Sequence, residues 1–385
     1  MAFYHKLGEI PKDKHTTFYK PDGETLYKEM LFSAKGFSGI YSNKYHMHAA
    51  TKTTELKELA PVPDKTWEDA PLMHMHWFTD KKESGDFFSA RIEYMHNQHT
   101  MISIAHVNAN PDYYYKNAYH HEYIFVHYGS GVLMSEFGKI PFKQGDQLFV
   151  PKGIIFQMLF DDIDADNKIL VVESDTPYEI PTHFRNEYGQ LTEEAPFCER
   201  DIKVPEFFEP EDVDVESKVL IKAGRRLFEY TMPHRPFDVV GWDGYLYPWA
   251  FSIYDYKPKV GKIHLPPPVH LLATTQDFVL CNFCPRLYDF HEQAIPAPYF
   301  HTNVDSDEVL YYVEGDFMSR KGVKEGSITL HPTGIPHGPQ PGKTEASIGK
   351  KGTEEYAVMI DTFQPLKVTE NIKETMDKDY YKSWL

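Results

Sequence analysis

Cysteine is scarce in this chain, with three residues, Cys198, Cys281 and Cys284, among 385. A set so small and odd in number excludes a disulfide scaffold and fits a reducing, cytoplasmic setting. Cys281 and Cys284 do form a CxxC, but no second CxxC completes a four-thiolate zinc site. The surrounding DFVLCNFCPR reads as a buried strand in which both are small hydrophobes. Positive charge is short as well: 40 Lys plus Arg against 57 Asp plus Glu leave −17, which argues against nucleic acid as a partner. No window approaches the roughly 18 apolar residues of a membrane span. The opening MAFYHKLGEIPKDKHTTFYKPDG carries charges and prolines where a signal peptide has an apolar core, so an unsecreted protein is expected. Sustained heptads are missing, and the only helix expected is a short one near NIKETMDKDYYKSW.

Aromatics, proline and glycine are plentiful. With 26 Tyr and 26 Phe against 28 Pro and 23 Gly, short strands and turns are favoured over helices, and the chain reads as mostly β. The segments GFSGIYSNKYHMH and FFSARIEYMHNQHTMISIAHV alternate apolar runs with turn signals, as strands around a first core do. Residues 215–232 mix strand-like and basic character and could pack between two halves.

One frame occurs twice. His301, Asn303, Glu308, Gly315, Gly326, Pro332, Gly334 and His337 are matched by Tyr115, Asn117, Glu122, Gly129, Gly145, Pro151, Gly153 and Phe156. In both copies the Glu stands seven residues before its Gly, the later Gly six before its Pro, and the last ring five after that Pro. Duplication of hairpins about glycine turns suggests two jelly-roll (cupin) barrels. The expected division is an N-terminal β domain over residues 1–235, with its repeat core near 112–160, and a C-terminal domain over 236–385.

Only the second copy has imidazoles at the ring positions. His301, Glu308 and His337 supply two imidazoles and one carboxylate, a set that leaves about three positions open on a divalent metal and suits non-haem Fe(II) oxygen chemistry. Glu308 is preferred to Asp307 because it alone keeps the spacing that Glu122 keeps to Gly129. Glu122, lacking imidazoles, is expected to be a hydrogen-bonded structural carboxylate in a metal-free barrel. His331 is read as a strand residue beside the site. The pairs His46 and His48, His74 and His76, and His120 and His121 lack a carboxylate and third ligand at repeat-supported spacing, and are assigned to packing.

PYFHTN, the Glu308 strand and HPTGIPHGP resemble the homogentisate 1,2-dioxygenase family, particularly its shorter bacterial branch. VVGWDGYLYP, GKIHLPPPVH and DTFQPL extend the resemblance over about residues 236–370, and the N-terminal half is similar less specifically. The resemblance implies Fe(II)- and O2-dependent opening of homogentisate to maleylacetoacetate in tyrosine and phenylalanine breakdown, by a homo-oligomer built from trimers. It places the iron on His301, Glu308 and His337 and the acid–base histidine on His264, with His270 as the alternative. Two departures stand out: many members have one residue fewer between the first His and the Glu, and a substrate-contacting Tyr is here Phe317. With Phe317 unable to donate a hydrogen bond, Tyr311, Tyr312, Arg286, Arg320 or His291 is left to orient the substrate, beside the ligand His337. Arg286 is favoured, since a guanidinium suits a carboxylate. The other readings are a gentisate-type dioxygenase, a metal-dependent bicupin isomerase and a non-enzymatic small-ligand binder.

Overall fold

The structure, a computed structural model, describes residues 3–315, 317 and 322–385. Two β-sandwich barrels are built on one plan. In the first, strand His121–Tyr128 lies between Asp146–Val150 and Asn167–Ser174, followed outward by Thr100–Val107 and Arg91–His96. In the second, Asp307–Glu314 lies between Ile328–His331 and Tyr356–Thr362, followed by Phe278–Phe283 and Leu271–Thr274. The registers coincide. Glu122 faces Val150 and Glu173 across its two ladders, and Glu308 faces His331 and Asp361. The fold is therefore a duplicated jelly roll, mostly β, as the repeated glycine frame predicts.

The glycines of that frame are turn formers. Gly129 and Gly315 have φ of +101° and +106°, a region L side chains rarely adopt, and a Cβ on Gly315 would meet the Glu354 carbonyl oxygen at 2.2 Å. Each follows the central strand of its barrel, and Gly129 sends the chain into the hairpin of Ser130–Ser135 with Gly138–Lys143.

The barrels differ in their second sheet. The first has seven strands there: Gly138–Lys143, Ser130–Ser135, Phe156–Phe160, Tyr114–Asn117, Ser217–Ala223, Arg226–Met232 and Glu55–Leu59. Residues 215–232 thus form a hairpin extending this sheet, and do not pack between the halves. In the second barrel the pairing on the opposing side, among the described residues, is Arg286–Leu287 with Gly352–Thr353 and one bridge between His301 and His337. The first interior is filled by the rings of Phe87, Tyr115 and Phe156 in mutual contact, whereas the second holds a cavity beside Glu308.

The halves also exchange strands. Met75–Trp77 pairs with Ile328–His331 of the second barrel, and Lys367–Val368 pairs with Arg91–His96 of the first. Trp77, 0% exposed, is buried in the partner half, a burial worth about 3 kcal/mol for a large side chain. Val239–Gly244 and Trp249–Ser252 pair with N-terminal strands, and Trp242 Nε1 donates to the Phe137 carbonyl at 2.6 Å. Those strands, which follow the division expected at 235, are therefore built into sheets of the N-terminal half. Aromatic density misled there, because Trp242, Tyr247 and Trp249 are core residues of the first half. The C-terminal stretch expected to be one helix forms two 3-10 segments, Glu370–Thr375 and Tyr380–Trp384. Cys281 and Cys284 are free and buried at the strand Phe278–Phe283, and burial raises both thiols, Cys284 to about 11.

Candidate metal centre and its cavity

The second barrel gathers His301, half-buried, with Glu308 and His337, both buried. The His301–His337 bridge is closed by two backbone hydrogen bonds of 2.8 Å, which fixes both imidazole-bearing residues against each other. Glu308 Oε2 stands 3.6 Å from His301 Nε2 and 3.4 Å from His337 Nε2, and the three ligand atoms lie within 4.8 Å of one another. Each ring is oriented by a carbonyl: His301 Nδ1 donates to Tyr299 and His337 Nδ1 to Ile335, both at 3.1 Å. A carbonyl only accepts, so the proton sits on Nδ1 and each Nε2 presents a lone pair to the same point, the usual arrangement behind a metal-ligating imidazole.

Electrostatics fit a dication. His337 Nε2 and Asp361 Oδ1 are buried without a hydrogen-bond partner. Burial raises the Glu308 carboxyl, but the imidazoles of His301, His331 and His337 around it hold it well below the usual carboxylate range. Asp361, in register with Glu308, is pushed up to about 8 by burial and by the Glu308 charge. Two carboxyl groups across one ladder, facing converging lone pairs, are a donor set that fits a divalent metal.

A tier of residues behind the site holds Glu308. His331 Nδ1 donates to Glu308 Oε1 at 2.6 Å, and Tyr380 lies 3.2 Å from His331 Nε2 through its hydroxyl. His74 enters from the crossing N-terminal segment, its Nε2 donating to the Pro336 carbonyl at 3.1 Å and its ring meeting Trp384 at 4.9 Å. Asp307 faces the other way and accepts backbone N–H groups of Thr333 and Leu366, each at 2.7 Å.

In front of Glu308 lies a cavity of ≈ 440 Å³, ample for a small aromatic acid. His264, His270, Arg286, Tyr312, Phe317 and Asp361 are among its walls. His264 is 42% exposed at the mouth, and its Nδ1 donates to Asp289 at 3.1 Å, which leaves Nε2 free to accept a proton. Arg286 Nη1 is buried without a hydrogen-bond partner. His270 is buried against Phe283, and burial followed by the Arg286 charge lowers its pKa to about 3, so its ring stays neutral. Phe317 packs edge-on against Tyr312 at 4.8 Å.

Three of the expected substrate contacts need correction. Tyr311 alternates to the opposite face of its strand and packs in the core, 5.4 Å from His127 and 6.0 Å from Phe125, so it does not reach the cavity. His337, buried, presents Nε2 beside Glu308 Oε2 and is not among the residues lining the cavity. His291 is exposed and lines a neighbouring surface pocket. Arg320 lies outside the described residues. Asp289, Asp361, His74 and Tyr380 were not anticipated; only Asp361 had a repeat signal, through its equivalence to Glu173.

The first barrel shows what replaces a metal. Arg91 reaches Glu122 with two bonds, 2.9 and 3.2 Å, and Glu173 at 3.4 Å. Tyr115 donates to Glu122 at 2.7 Å, Asn117 reaches both carboxylates, and Lys222 caps Glu173 at 2.5 Å. A guanidinium thus neutralises the carboxylates of the copy that lacks imidazoles. His120 and His121 flank this network, and burial lowers His121 to about 3.

Residues 47–253 match the family model described as homogentisate 1,2-dioxygenase N-terminal, and residues 256–385 the one described as homogentisate 1,2-dioxygenase C-terminal. A Saccharolobus solfataricus protein, named as a dioxygenase without a stated substrate, is 40% identical over 100% of this chain and 99% of its own length. The homogentisate 1,2-dioxygenase of Bradyrhizobium diazoefficiens is 27% identical over 66% of this chain and 58% of its own, so this chain aligns with little more than half of it. The Caenorhabditis elegans enzyme of that name is 26% identical over 66% and 60%. Among solved structures, a cupin 2 conserved barrel domain protein from Leptotrichia buccalis is similar at TM-score 0.34, with 11% identity over 74% of this chain and 92% of that one.

Proposed function

This chain belongs to the homogentisate 1,2-dioxygenase family, and on that premise we propose that it is an Fe(II)-dependent ring-cleaving dioxygenase converting homogentisate and O2 to maleylacetoacetate in tyrosine and phenylalanine catabolism. The observation that carries the reading is the open-sided His301, Glu308, His337 set, with His301 and Glu308 on the wall of a cavity that also holds an unpartnered guanidinium nitrogen. Bound there, Fe(II) would supply redox activation of O2 and a Lewis-acid anchor for a ring oxygen.

The side chains do the rest. Arg286 Nη1 binds the substrate carboxylate, replacing an unsatisfied buried donor with a charge-assisted hydrogen bond. His264 Nε2 accepts a proton from the ring hydroxyl, with Asp289 holding its tautomer and stabilising the imidazolium formed. Tyr312 and Phe317 wall the aromatic ring. His270 remains neutral and is placed to accept a hydrogen bond rather than to repel the guanidinium.

Phe317 favours a second reading on one point. With no hydroxyl at that position, the pocket loses a donor for a distal ring substituent, so a related hydroquinone acid such as gentisate is the competing substrate. Homo-oligomerisation, built from trimers, is part of the proposal: Ile263, Phe290, Ile295, Phe300 and Val304, beside the cavity mouth, are between 53% and 84% exposed, an apolar surface suited to a second subunit. No helix among the described residues is long and apolar enough to cross a membrane, and the free cysteines support a reducing, cytoplasmic setting. Anaerobic loading with Fe(II) followed by oxygen-electrode assay decides the substrate. Stoichiometric O2 uptake with homogentisate supports the assignment, uptake with gentisate alone moves it to the second reading, and none with either returns the chain to an isomerase or a ligand binder.

A further inference from the structure

A second cluster of imidazoles and carboxylates lies in the N-terminal half. His48, His234 and Asp238 each offer a ligand atom, and these atoms lie within 4.8 Å of one another. They come together because Tyr41–His46 pairs antiparallel with Val239–Gly244, placing the residues that follow the first strand beside those that precede the second. A histidine pair without a nearby carboxylate in the sequence thereby gains one from 190 residues away.

The donor atoms are prepared for an ion. His234 is 1% exposed; its Nδ1 donates to the Arg235 carbonyl at 3.0 Å, and its Nε2 is buried with no hydrogen-bond partner. With the proton fixed on Nδ1, that Nε2 lone pair is a buried acceptor with nothing to accept, a costly state unless a ligand fills it. His48 is stacked on His234, centroids 4.3 Å apart. The His48 backbone N–H donates to Asp238 Oδ2 at 2.8 Å, and its Nδ1 faces the same oxygen at 3.3 Å. On its other edge, Nε2 faces Asp212 at 3.3 Å and Asp214 at 3.5 Å. Asp238 is itself 1% exposed and held by His46 Nδ1 at 2.7 Å.

We propose that His48, His234 and Asp238 form a second divalent-cation site, closed from the solvent side by Asp212 and Asp214. Two imidazoles with carboxylates select a borderline transition dication such as Zn(II) over Ca(II) or Mg(II), which prefer all-oxygen sets. The role is structural. The site ties the acidic loop 209–216, already pinned by Arg235 N–H to the Val213 carbonyl and Glu211 N–H to the Phe237 carbonyl, onto the barrel.

Equilibrium dialysis against Zn(II), with metal counted by mass spectrometry, tests this on the full chain. Wild type is expected to hold two equivalents, His234→Gln one, and His301→Ala/His337→Ala one. The loop variant Asp212→Asn/Asp214→Asn, which disturbs no core packing, is expected to weaken the second equivalent tenfold or more. Zn(II) should also slow proteolytic cutting within 209–216 in wild type and not in His234→Gln. One equivalent in wild type, or two retained in a folded His234→Gln protein together with an unweakened loop variant, would overturn the proposal.

Discussion

Arg91→Met tests whether a guanidinium stands in for a metal in the first barrel. The side chain of Arg91 is 7% exposed, and it supplies three hydrogen bonds to Glu122 and Glu173, which are themselves buried and in register. Methionine preserves most of the volume and none of the charge, so two carboxylates are left with Tyr115, Asn117, His120 and Lys222. Removing one partner of a buried ion pair costs about 3–5 kcal/mol, a large part of a typical domain's stability. The melting transition should fall by roughly 10 °C, since each kcal/mol moves a domain of this size a few degrees. Metal bound by the second barrel should not change. Differential scanning calorimetry reads the shift, and Arg91→Met/Glu122→Gln should recover part of it by removing the stranded charge. A loss under about 1 kcal/mol, or no recovery in the double variant, would refute the reasoning.

The same network sets an acid limit: burial raises the Glu173 carboxyl, yet Lys222, Arg91 and His120 hold it at about 2, below its unfolded value. Its stabilisation is therefore complete above about pH 4.5 and is lost as pH falls toward 2, so the gap between wild type and Arg91→Met should narrow in acid; a gap constant from pH 7 to 3 contradicts this. His331→Leu removes the 2.6 Å partner of Glu308 and should weaken Fe(II) binding about 10–100-fold in dialysis, while an unchanged affinity would show that Glu308 is held by backbone placement alone. His264→Ala should keep its iron while kcat falls by about 10²–10⁴, and equal loss of iron would make it a ligand. Arg286→Leu should raise KM for the aromatic acid about tenfold or more, with a smaller effect on a substrate analogue lacking the carboxylate; equal effects on both would assign Arg286 to packing.

The duplicated frame made both barrels readable before any coordinates, because each glycine at positive φ and each proline marks a turn that a jelly roll cannot omit. The contrast of His301 and His337 with Tyr115 and Phe156 likewise singled out the copy whose rings converge. What escaped was non-local. His74 and Trp77 cross into the second barrel, and Val239–Gly244 returns to the first, by pairings that carry no local signature. Tyr311 and Tyr312 are neighbours in sequence but face opposite sides of one strand, and composition cannot say which side the cavity takes. His48 and Asp238 looked unrelated for the same reason.

The central claim is that His301, Glu308 and His337 hold one iron. Anomalous diffraction at the iron edge, from crystals loaded with Fe(II) under anaerobic conditions, tests it directly. The account predicts the strongest peak in contact with Nε2 of His301, Nε2 of His337 and a Glu308 oxygen. Iron bound instead through His331 or His74, or absent from the second barrel, would contradict it.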